Sequence, residues 1–139
     1  MLLLWVWLGM SCTGGHDAGR LLDRADSLLR SDRPEEARMI LDSIDVSALS
    51  EDEYAYHRLL DIQTSYKLYA PVPSDSTITA CVDYWRARNN KSRECLALCY
   101  RGLTRYSDGK LEEAASDLKA AESLALGLND IYLMNKAFS

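Results

Sequence analysis

One phenylalanine, three prolines and seven glycines are all that this chain of 139 residues contains of those types. A sheet protein uses many prolines and glycines in its turns, and no stretch here alternates apolar with polar side chains. Strands are not expected. Histidine is scarce too, and neither His16 nor His57 is spaced to join a cysteine pair around a metal. Tetrahedral zinc takes four ligands, or three and a water, so neither a metal site nor a cofactor is expected. No glycine-rich loop follows a strand, and no nucleophile stands in the strained turn that would expose it. The sequence is therefore not read as an enzyme. A formal net charge of -5 also argues against nucleic acid as a partner, because such binders are basic.

Long apolar runs are missing too. A membrane-spanning helix needs about 20 apolar residues, and the greasiest block, residues 1–10, falls short of that. It holds Leu2, Leu3, Leu4, Trp5, Val6, Trp7 and Leu8 without a charge. Such a length suits the apolar core of a secretory signal, although no Lys or Arg precedes it. Thr13-Gly14-Gly15 then reads as a polar tether. The other reading is an unprocessed apolar N-terminal helix that buries Cys12.

What the chain does have is a helical pattern. Leu21, Leu22, Ala25, Leu28 and Leu29 form one stripe over residues 18–30, the spacing of an amphipathic helix. Ser31-Asp32 breaks it, with Asp32 as the expected cap of a second helix and Pro34 in that helix's first turn. The second helix buries Ala37, Ile40, Leu41 and Ile44. Ser50 with Glu53 forms a capping box for a third helix, which Pro71 and Pro73 end. Ile78, Cys81, Val82 and Trp85 are the apolar set of a fourth, closed at Asn89-Asn90. Residues 92–107 form a fifth helix and residues 110–126 a sixth, with Gly127 as its expected C-terminal cap. Each helix is apolar on one side only, so none is stable alone, and the short connections make neighbours antiparallel.

Two clusters invite chemistry. Cys95 and Cys99 share a helix face but lack further ligands, and small buried apolar packing accounts for them. A disulfide from Cys81 to one of the two remains open in an exported chain. Between residues 86 and 110, Arg86, Arg88, Lys91, Arg93, Arg101, Arg105 and Lys110 face only Glu94 and Asp108. That excess suits either a solvated face or an acidic partner.

Gly102, Gly109, Leu111, Ala114, Leu118 and Ala121 give small and large residues at helical spacing on both sides of a glycine turn. Residues 95–128 resemble a tetratricopeptide repeat, a helical hairpin of about 34 residues. Arg105 stands where that family usually has an aromatic, and Leu126 where a proline often ends the unit. Residues 18–49 fit the same template through Ala25, Asp32, Ala37, Leu41 and Ile44, and residues 129–139 resemble an incomplete last repeat. The resemblance implies an all-α fold of antiparallel hairpins stacked as a short α-solenoid over residues 18–139. It also implies an interaction scaffold whose first helices line a concave face, with Leu96, Cys99, Leu103, Tyr106 and Ser107 facing a protein or peptide partner.

Leu8-Gly9-Met10-Ser11-Cys12 resembles a bacterial lipobox. Residues 1–11 would then be a signal peptide, Cys12 the lipidated residue and residues 12–17 its tether, the acyl chains holding the protein to a membrane. Together the two resemblances point to a tetratricopeptide-repeat lipoprotein of the Gram-negative envelope, in the outer membrane rather than the inner. The alternatives are a cytoplasmic repeat adaptor and the N-terminal sensor part of a repeat-containing regulator.

Overall fold

In the computed structural model the backbone is described for residues 14–138 and the side chains for residues 17–137. The expected signal peptide and Cys12 lie outside the described residues. Seven α-helices and no strand occur among the described residues: α1 (Gly14–Arg30), α2 (Pro34–Ser43), α3 (Glu51–Lys67), α4 (Asp75–Ala87), α5 (Lys91–Ser107), α6 (Leu111–Leu128) and α7 (Ile131–Phe138). A single 3-10 turn, Val46–Ala48, lies between α2 and α3. The all-α expectation holds. The helix α1 starts at Gly14, earlier than the expected residue 18, with Asp17 placed to favour the positive end of the helix dipole.

One local device ends four of these helices. The amide of Arg33 donates to Leu28 at 2.9 Å, Ala70 to Ser65 at 2.9 Å, Asn90 to Trp85 at 3.0 Å and Lys110 to Arg105 at 2.9 Å. Each bond spans a residue in the left-handed region: Asp32 at φ 58°, Tyr69 at 53°, Asn89 at 53° and Gly109 at 78°. This is the Schellman arrangement, which satisfies carbonyls that the helix leaves unpaired. Only Gly109 adopts it without a side chain in the way. Two capping expectations are corrected here. Asp32 does not cap α2, because its own backbone has turned left-handed and its carboxylate takes the Lys67 ammonium at 2.7 Å. Gly127 does not end α6 either: the helix passes through it, and Asn129 at φ 51° supplies the turn. The capping box of α3 is present, with Ser50 N donating to Glu53 Oε2 at 2.9 Å.

The odd-numbered helices α1, α3, α5 and α7 pack each on the next, and each even helix lies against the odd helices on either side of it. The core has two parts. Leu22, Ala25, Leu28, Leu29, Ala37, Leu41 and Leu60 fill the first. The second runs from Leu59 and Ile62 through Val82, Trp85, Leu98 and Tyr100 to Leu133. Helix α3 serves both, with Leu60 in the first part and Leu59 and Ile62 in the second, so it is buried on more than one side.

How closely α5 and α6 approach follows from one position. Seven residues before the left-handed turn stand Ala25 in α1, Ile62 in α3, Val82 in α4 and Gly102 in α5. At Gly102 a Cβ would lie 2.8 Å from Leu118 Cγ and 3.3 Å from the Ala114 carbonyl oxygen. The missing side chain is what lets α5 and α6 meet, and they pack more extensively than any other pair. The α1–α2 pair, with alanine there, and the α4–α5 pair, with Val82, are intermediate. With Ile62 in that place and a connection through Pro71 and Pro73, α3 and α4 touch far less.

Two contrasts test these constraints. Gly109→Ala should lower the stability to urea by about 1 kcal/mol, and Tyr69→Gly should raise it by about as much, since left-handed backbone penalises any Cβ. Tyr69 is 98% exposed, so its side chain has little packing to lose. Gly102→Leu should cost about 1–3 kcal/mol by overpacking. Gly127→Leu, where a Cβ meets nothing within 4 Å, should instead gain up to about 1 kcal/mol from helix propensity.

Candidate functional site

The five residues nominated for a partner separate by burial. Leu96 and Cys99 are buried in the larger core, at 5% and 0% exposure, and their side chains meet neighbouring helices rather than solvent. Leu103 is half-buried against that core. Tyr106 and Ser107, at the end of α5, are exposed. The helix does present a stripe, but residues 94–100 are buried and both α3 and α7 pack against α5. The exposed parts of α5 are its first residues, Lys91 and Ser92, and its C-terminal end.

The arginine-rich stretch is largely consumed within the fold. Arg101 grips Asp117 with two bonds, Nε to Oδ2 at 2.9 Å and Nη2 to Oδ1 at 2.7 Å, and reaches Thr79 at 3.3 Å. Arg105 bridges Asp117 at 2.9 Å and Asp75 at 3.0 Å, and Lys110 adds a contact to Asp75 at 3.4 Å. This network joins α4, α5 and α6. The side chain of Asp117 is only 6% exposed, so the paired geometry is what makes its charge tolerable. The Arg105 guanidinium lies between the Asp75 and Asp117 carboxylates. Arg86 pairs with Glu94 at 2.8 Å, and Arg88 with Glu51 at 3.3 Å. Arg93 lies 3.6 Å over the Tyr56 ring and 4.6 Å over Trp85, a cation–π arrangement. Little of this charge is left for an acidic partner.

The hydrogen bond from Arg105 holds the Asp75 carboxyl below its ordinary range. A carboxylate lowered on folding contributes stability above its unfolded pKa and loses it as pH falls through the folded value. Burial pushes the Tyr56 phenol and the Cys81 thiol up, to about 12 and about 11. At neutral pH Cys81 is thus a thiol and a poor nucleophile. Cys81, Cys95 and Cys99 are free and buried, and Cys95 Sγ donates to the Ala121 carbonyl at 3.2 Å. No disulfide links these three. Among the described residues no cluster of three or more His, Cys, Asp or Glu could hold a metal, and no helix is long and apolar enough to cross a membrane.

One concavity stands out. Where α3 and α4 diverge, a groove of about 480 Å³ opens. Ala55, Ala80 and Cys81 line its middle, Arg58, Ser76 and Thr77 one end, and Glu51, with Tyr84, the other, Tyr54 standing beside Ala55. Sequence reasoning missed this groove. The only signal for it was the pair of prolines that lengthens the α3–α4 connection.

No family model, curated protein or solved structure matches the chain. The network at Asp117 makes a sharp prediction. Asp117→Ala should cost about 3–5 kcal/mol, because two sheltered guanidinium groups lose a shared partner. Asp17→Ala, which removes an exposed pair with Arg20, should change stability by less than about 1 kcal/mol. Thermal denaturation of the two variants compares them directly.

Proposed function

We propose that this protein is an interaction scaffold of the tetratricopeptide-repeat type, exported and anchored to the bacterial envelope through lipid on Cys12, in the outer membrane. The succession of odd helices carries this reading. Each hairpin buries its apolar side only against the next, and the hairpins at Ala25 and Gly102 share one turn geometry and one small-residue crossing. Such stacks present extended surfaces and little chemistry. The charge-consuming network at Asp117 fits the same role, since it stiffens the stack without leaving a reactive group exposed. Tyr106, 65% exposed beside exposed Ser107, is the contact residue on the best-matched hairpin; tyrosine gives large, adaptable contact area at interfaces.

Two measurements test the halves of this reading separately. Radiolabelled palmitate should enter the wild-type protein and be lost in Cys12→Ser; labelling that survives the substitution ends the anchor. A photo-crosslinking residue at position 106 should give a discrete adduct in intact cells, while the same group at Met39, 73% exposed on α2, gives none. Equal crosslinking at both positions would remove Tyr106 from the interface.

A further inference from the structure

The groove between α3 and α4 has a polarity that specifies what fits it. The two helices run antiparallel, so Arg58 stands at the same end as Ser76 and Thr77, and Glu51 at the same end as Tyr84. Between them the walls are apolar. From Glu51 to Arg58 the groove follows α3 for two turns, about 10 Å. Its volume of about 480 Å³ lies within the roughly 300–1,000 Å³ of ligand sites. It is open along its length, which suits a segment laid across it better than an enclosed small molecule.

The charges decide the sign of the ligand. Glu51 is engaged by Arg88 at 3.3 Å, and Asp52 accepts from the Tyr84 hydroxyl and lies 3.6 Å from Arg88. Arg58 makes no ion pair among the described residues, although other arginines of α2, α4 and α5 each find a carboxylate or an aromatic face. The groove therefore combines an apolar floor with one uncompensated guanidinium, a group built to take a carboxylate through two bonds.

We propose that the α3–α4 groove binds a peptide segment of a partner protein, a short amphipathic helix whose apolar face lies against Ala55, Ala80 and Cys81 and whose Asp or Glu pairs with Arg58. This rests on the interaction reading above and adds to it the place and the partner's chemistry. Docking an apolar helix face into a groove is an established mode of peptide recognition. The carboxylate would fix its direction, because only one end of the groove is cationic.

A selection from a random decapeptide library displayed on its messenger RNA, with the full chain as bait, tests this. The expected peptides pair two apolar residues a turn apart with an acidic residue. Their affinity should fall about tenfold or more in Arg58→Gln, the cost of one charge-assisted contact. Replacing the acidic residue of the peptide by its amide should weaken binding to wild type equally and leave Arg58→Gln indifferent. Ala80→Trp, at an exposed wall position, should block binding with helix content unchanged by circular dichroism. Peptides insensitive to both substitutions but lost in Tyr106→Ala would overturn the groove and leave the interaction reading standing. A library that enriches nothing overturns both. Saturable, Arg58-dependent binding of dodecanoate without any peptide would overturn the peptide in favour of a small amphipathic acid.

Discussion

The contact that the rest of the structure depends on is a missing one, the side chain that Gly102 does not have. Its absence lets the backbone of α5 rest against Leu118 and the Ala114 carbonyl of α6. That approach buries Cys95, Leu98 and Ala121 together and sets the crossing on which α7 and α4 then pack. Helices that are apolar on one side gain little from forming alone. Their stability comes from this mutual cover, and the closeness of each pair sets how much cover it provides. At Gly102 the missing Cβ makes that cover closest, between α5 and α6.

Polar side chains refine what the apolar contacts begin. Asp117 sits deep enough that a lone carboxylate would be costly, yet Arg101 and Arg105 hold it from two turns of α5. Asp75 and Thr79 extend the same network to α4. Three helices are thereby fixed in register by bonds that a slipped arrangement would break. Such a network adds less to net stability than its bonds suggest, because desolvation offsets much of the attraction. Its value lies in selecting one arrangement. The loosely closed α3–α4 pair lies next to this rigid part, and the groove exists because that pair has neither a small crossing residue nor a short turn.

Helices and their apolar stripes could be read from the sequence because they depend on local spacing. Ile78, Cys81, Val82 and Trp85 were placed on one face and are all buried, and the Ser50–Glu53 box forms as its pattern demands. Caps that depend on backbone conformation were harder. Asp32 carries a good capping side chain but spends its backbone on a left-handed turn, and Gly127, conformationally free, continues a helix that Asn129 ends. Long-range pairing was the least legible part. Nothing in the spacing of Arg101, Arg105, Asp75 and Asp117 announces that they converge, since the convergence follows from how three helices cross. Analogy puts Leu96 and Cys99 on an open face, whereas both lie inside the larger core. The groove was invisible for the same reason: it arises from a distance between helices, which no residue pattern states.

A nuclear Overhauser measurement between the α protons of Gly102 and the methyl groups of Leu118 reaches the central claim most directly. A strong cross-peak is expected, because the two side-chain positions would overlap if residue 102 carried a Cβ. Its absence in a folded, helical sample would mean that α5 and α6 do not cross at that glycine, and the closure of the hairpins would need another cause.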